Sequence, residues 1–147
     1  MKTEKKINLF VEGPITPEFI ADSIAKHQRK THIGAHDIFL GQVRADTIDG
    51  KTVDAIEYSA YEDMALEKIV EIREAAFAEF DLSCMHIYHS LGSVGVGEIC
   101  LFVFVSSPHR KEVFTALHQV VERIKKELPV FGKECFGDQS YSWKVNQ

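Results

Sequence analysis

The sequence predicts an α+β sandwich, a mostly antiparallel sheet with helices packed on one face. Three observations carry that expectation. Apolar residues fall into short strand-like runs and longer stretches of helical spacing, in the order β-α-β-β-α-β-β-α-β. Ile99–Val105 is almost wholly apolar, which marks a central strand covered on both faces. An Asp49-Gly50 turn lies between two strand-like runs and suggests a hairpin with a loose connection. The 147 residues suit one domain spanning 1–147.

The elements follow in order. Ile7–Val11 reads as an edge strand closed by Gly13-Pro14. Thr16-Pro17-Glu18 opens a helix with a hydroxyl cap, a proline at the first helical position and an acid near the positive end. Ala35–Arg44 reads as a strand ending near Gly41, and Val53–Tyr61 as its partner. Met64 to Phe80 places apolar residues at 65, 66, 69, 72, 76 and 80, a helical stripe. Cys84–His89 is a strand, and Gly92, Gly95 and Gly97 open a loop after it. Ser107-Pro108 begins the longest helix, with Val113, Phe114, Leu117, Val120, Val121 and Ile124 inward. Leu128-Pro129 ends that helix, because the residue before proline avoids the helical region. The tail from Phe131 to Val145 supplies a final strand or hairpin.

Composition narrows the function classes. A net charge of −5 argues against broad nucleic-acid binding. The apolar runs fall short of the ~18–20 residues a spanning helix needs, and Glu12 and Pro14 interrupt the only run near the basic Lys2–Lys6 start, so no membrane partner is expected. Cys84, Cys100 and Cys135 form no closed set of pairs and no C-x-x-C, which suits a reducing cytoplasm. The seven histidines show no H-x-x-x-H spacing on a convincing helix, so no metal site is expected.

Ser106-Ser107-Pro108-His109-Arg110-Lys111 is the most informative local run. Cations are disfavoured at the positive end of a helix dipole, so three potential cations in a first turn call for a reason. Two readings stand: an anion site built from free N–H groups with His109 and Arg110, or a solvated turn whose long side chains point away. Lys125 and Lys126 complement a helix C-terminus in the ordinary way, and Lys133 follows beyond the proline. A catalytic lysine there would need burial or a nearby cation such as Arg44.

Five motifs in register then match one family. They are Gly41-x-Val43-Arg44; Glu57-Tyr58-x-x-Tyr61-x-x-Met64-Ala65; His89-x-x-Gly92-x-x-x-x-Gly97-Glu98; Ser106-Ser107-x-His109-Arg110; and Lys125-x-x-x-Pro129-x-Phe131-x-Lys133-Glu134. The chain, from about Ile7 to Trp143, resembles the large, catalytic subunit of molybdopterin synthase, the MoaE family. The resemblance implies a hammerhead-like α/β sandwich and a sulfurtransferase that converts cyclic pyranopterin monophosphate to molybdopterin. It implies sulfur delivery from the C-terminal Gly-Gly thiocarboxylate of a small ubiquitin-like carrier subunit, and a homodimer at the centre of a heterotetramer. No further cofactor is implied.

Carried over residue by residue, the resemblance makes Gln42, Val43, Arg44, His109, Arg110, Lys125, Gly132, Lys133 and Glu134 the substrate-binding set. Arg44, His109 and Arg110 would hold the phosphate, Lys125 would be the principal acid/base or electrostatic group, Lys133 would assist, and Glu134 would orient it. This chain departs from the family's pattern at three places: Gly132 stands where many relatives have the first of two basic residues, Phe131 replaces a frequent tryptophan, and Ser90 stands where a base commonly follows the histidine. The rival reading is a non-catalytic, anion-binding regulatory α+β domain.

Overall fold

The structure is a computed structural model that describes residues 8–145. The Lys2–Lys6 run and Ile7 lie outside the described residues. The chain runs β1 (Phe10–Glu12), α1 (Pro17–His27), β2 (Ala35–Gln42), β3 (Thr47–Ile48), β4 (Lys51–Ala60), α2 (Glu62–Glu79), β5 (Cys84–Gly95), β6 (Ile99–Ser107), α3 (Arg110–Glu127), β7 (Val130–Phe136) and β8 (Tyr141–Trp143). The strands lie in the order β2-β6-β5-β4-β7-β8, with β1 added to β5 and β3 to β4. All pairings are antiparallel except β1 with β5.

Strand β6 divides the core in two. Successive strand residues point to opposite faces. Leu101, Val103 and Val105 therefore meet the inward stripes of α2 and α3, among them Ile69, Ile72, Val113, Val120 and Ile124. Phe102 and Phe104 point the other way, onto Ile15 and Ile20, with Phe19, Ile24 and Tyr88 packed around them. The α+β class and the doubly covered central strand are as expected. The helices, however, do not all share one face: α1 lies opposite α2 and α3, because its Phe19-Ile20-Ile24 stripe seats on the aromatic side of β6.

Local grammar explains the boundaries. Thr16 Oγ1 accepts the Phe19 N–H at 3.1 Å and caps α1. Asp49 and Gly50 both take positive φ, 50° and 78°, as a two-residue hairpin turn requires. That turn joins β3 to β4 and not β2 to β4. The expected pairing of β2 with β4 is replaced by β2 on β6, since Asp46–Ile48 turns back before the hairpin. The glycines after His89 do not open a loop. Gly92, with φ +83°, and Gly95 continue β5 along β4, and the turn comes at Gly97. Helix α3 starts at Arg110, two residues later than Ser107-Pro108 suggests. Ser107 Oγ donates to the Asp81 carbonyl and accepts the His109 N–H. The tail forms the β7–β8 hairpin.

A cleft between the end of α3 and the β7–β8 hairpin

Three neighbouring concavities meet where the last turn of α3 passes the edge of the sheet, and Lys125 and Lys144 line all three. Lys125 is placed by the stripe beside it. Val120, Val121 and Ile124 are buried against the sheet, so the next residue comes out at the rim with its Nζ 6.0 Å from the Phe39 ring centroid. A cation there also complements the negative end of the α3 dipole.

Sheet register places Lys144. Tyr58 is opposite Gly132 across β4–β7. Lys133 is opposite Trp143 across β7–β8, and the Lys144 N–H donates to the Gly132 carbonyl at 2.8 Å. Tyr58, Gly132 and Lys144 thus form one row across three strands, on a common face. Gly132 has no side chain to fill that row. A Cβ there would stand 3.0 Å from Ile56 Cγ2, 3.3 Å from Tyr58 Cε1 and 3.6 Å from Lys144 Cβ. The glycine leaves the space between Tyr58 and Lys144 open.

The inner concavity is small, about 90 Å³, and shares Gly41, Gln42, Lys125 and Lys144 with the wider one beside it, whose volume of about 790 Å³ is within the range of small-molecule sites. Gln42 enters the inner concavity because β2 carries an irregularity between Gly41 and Gln42, which re-aims the strand end. Its floor is Tyr58, His89 and Cys100. Burial pushes the Tyr58 phenol far above its ordinary range, and the neighbouring Cys100 and Glu134 add to this, so it stays neutral. His89 is pulled down to about 4, first by burial and then by the Lys125 charge, against the opposing effect of its bond to the Ser90 carbonyl. Its Nδ1 donates to that carbonyl at 2.8 Å. A neutral imidazole bonded in this way leaves Nε2 as an acceptor.

The expected site residues divide by place. Gln42, Lys125 and Gly132 line the inner concavity, and Arg44 and Glu134 the wider one beside it. The exposed Arg44 holds Asp46 in a two-bond pair, Nε to Oδ1 at 2.8 Å and a second nitrogen to Oδ2 at 3.2 Å, which raises its pKa further. Glu134 is buried on the cleft side of β7. Val43 is buried in the core, where its backbone bonds Glu98 and Gly97. Lys133, one residue from Gly132 along the strand, faces the other way, and its Nζ lies 4.1 Å from the Tyr141 ring centroid.

His109 and Arg110 sit at the opposite end of α3, roughly 22 Å along the helix axis from Lys125. They do not join the cleft within one chain. Sequence reasoning missed Tyr58, His89, Cys100 and Lys144 as lining groups. Tyr58 and His89 stood inside recognised motifs, whereas Lys144 lay in a mixed tail without local signal.

The comparisons agree with this fold. The family model described as MoaE protein matches residues 14–127. The chain is 42% identical over 117 residues to the molybdopterin synthase catalytic subunit 1 of Aedes aegypti, covering 78% of this chain and 75% of that one. It is 38% identical over 106 residues to the molybdopterin synthase catalytic subunit of Pyrococcus abyssi, covering 72% and 70%. Molybdopterin synthase from Staphylococcus aureus superposes with a TM-score of 0.80 at 29% identity, over 97% of this chain and 99% of that one. A Helicobacter pylori complex of subunits 1 and 2 of molybdopterin-converting factor has a chain of the same fold, with a TM-score of 0.81 at 15% identity over 97% and 92%. No helix among the described residues is long and apolar enough to cross a membrane. By its matched family model and by relatives sharing more than a third of their residues over most of its length, this chain belongs to the MoaE protein family.

Proposed function

We propose that the Lys125–Lys144 cleft is where this molybdopterin synthase catalytic subunit exchanges oxygen for sulfur on cyclic pyranopterin monophosphate. The observation that carries the reading is the convergence of two lysines on one cleft in a chain of net charge −5. A phosphate ester and a thiocarboxylate are both anions, and bringing them together needs local positive charge. The donor is the C-terminal thiocarboxylate of a small carrier subunit. Each exchange leaves the carrier with a carboxylate, the substrate with one sulfur gained and one oxygen lost.

Lys125 acts in this reading as the electrostatic and proton-donating group at the departing oxygen. The neutral Tyr58 and His89 form the floor, with a phenol to donate and an imidazole nitrogen to accept. Lys144 supplies the second ammonium beside the empty place at Gly132, a role that Lys133 does not take from the opposite face of β7. Arg44 and Glu134 border the wider opening. His109 and Arg110 reach a cleft only from a second copy of the chain, in keeping with a homodimeric centre.

The test is product formation from purified protein, thiocarboxylated carrier and cyclic precursor. Lys125→Ala should abolish dithiolene pterin with the fold and carrier binding retained. Lys144→Ala should reduce turnover by roughly 10²–10⁴-fold, as loss of a positioned charged group does, whereas Lys133→Ala stays near wild type. Mixing inactive Lys125→Ala and Arg110→Ala chains should restore roughly a quarter of the activity, because mixed dimers hold one intact shared site. Full activity in Lys125→Ala would refute the assignment of the reaction to Lys125 and this cleft.

A further inference from the structure

On the side of the sheet away from the cleft, α1 and β5 bring together side chains that no motif connects. Cys84 and His86 are two residues apart on β5 and share the face beneath α1. His27 lies in the last turn of α1, buried against the Phe104 ring at 4.8 Å between centroids. The two imidazole nitrogens and the sulfur all lie within 4.8 Å of one another. We propose that His27, Cys84 and His86 bind one divalent transition-metal ion of the zinc class.

The hydrogen bonds set up the donors. His27 Nδ1 lies 2.7 Å from the Ser23 carbonyl oxygen, which only accepts, so Nδ1 carries the proton. The neutral ring then presents its Nε2 lone pair to His86 Nε2, 2.8 Å away. At that separation the two nitrogens share a single proton, and a metal ion replaces it. The carbonyl behind His27 is the outer partner that orients a metal-bound imidazole.

Lys30 Nζ donates to Cys84 Sγ at 3.0 Å, a bond that a metal-bound sulfur keeps. Two imidazoles and one thiolate form a zinc-type donor set, and three protein ligands leave a fourth position open. With zinc bonds of about 2.0–2.3 Å, the two nitrogens need to part by about half an ångström, and the sulfur, up to 4.8 Å from them, needs to draw in to about 3.5 Å. His86 is partly exposed and provides the entry. Such an ion would tie the end of α1 to the sheet, supplementing the small Phe19-Ile20-Ile24 seat. The site uses no residue of the cleft, so its failure and the failure of the sulfurtransferase reading are separate results.

Titrating Co²⁺ into the reduced, full-length protein reads the site directly. One equivalent should bind with a thiolate-to-cobalt charge-transfer band and tetrahedral d–d bands, and Zn²⁺ should displace it. Cys84→Ser should remove the charge-transfer band, and both Cys84→Ser and His27→Gln should weaken binding by more than the roughly 10–100-fold that an outer partner is worth. Above the dissociation constant, each tenfold rise in free Zn²⁺ should raise the wild-type Tm by roughly 4 °C and leave the variants unmoved. If Cys84→Ser does not fold, Zn²⁺ should still shield Cys84 of the wild type from a thiol reagent, read by mass spectrometry. Absence of binding, a band and affinity that survive both variants, or an unshielded Cys84 would each overturn the proposal.

Discussion

Replacing His89 by glutamine tests the electrostatics of the cleft floor. Burial and the Lys125 charge hold the folded imidazole at about 4, against an ordinary 6.5. Between those two values the unfolded chain binds a proton at this residue that the folded chain does not. The folded state is therefore penalised as pH falls: the contribution of His89 is at its full value above 6.5 and declines by about 1.4 kcal/mol per pH unit down to about 4. Over that window the loss comes to about 3 kcal/mol. Urea unfolding of wild type and His89→Gln at intervals from pH 4.5 to 7, with equal m values, should give a wild-type slope steeper by one proton. Lys125→Met should move the His89 titration upward in an NMR experiment yet leave it well below 6.5, because burial is the larger cause. A His89 resonance titrating near 6.5, or equal slopes in the two proteins, would refute the reasoning.

Three more perturbations probe the frame. Phe102→Ala removes a fully buried ring that contacts Phe19, Tyr88 and Phe104, and should cost about 3–5 kcal/mol in denaturant unfolding. Ser90 Oγ is buried with no hydrogen-bond partner among the described residues, so Ser90→Ala should leave unfolding free energy unchanged or raise it by up to about 1 kcal/mol. Gly132→Ala should cost about 1 kcal/mol by pressing on Ile56 and should lower turnover by displacing Tyr58, read in the product assay.

The strands and helices were legible because their signals are local. Thr16-Pro17 starts α1, Asp49-Gly50 makes its two-residue turn, and the apolar run of β6 is buried on both faces. The errors arose where pairing partners are distant. The Asp49-Gly50 signal was read correctly as a turn, yet β2 went to β6 and left β4 to β7. The glycines after His89 looked like a loop, but cross-strand bonds to β4 hold them as strand. Lys133 matched a motif by spacing, while the two-residue period of β7 turned it away from the cleft.

Sequence alone determined which segments become helix or strand, and the family resemblance, because caps, turns and apolar periodicity act within a few residues. Tertiary structure decided which charges meet. Gly132, Tyr58 and Lys144 become neighbours only through register across three strands, and His27 reaches His86 only when α1 settles on the aromatic face of β6. Periodicity says which way a side chain points from its own backbone, but not what waits on the facing element. That depends on long-range pairing, which no short window of sequence encodes.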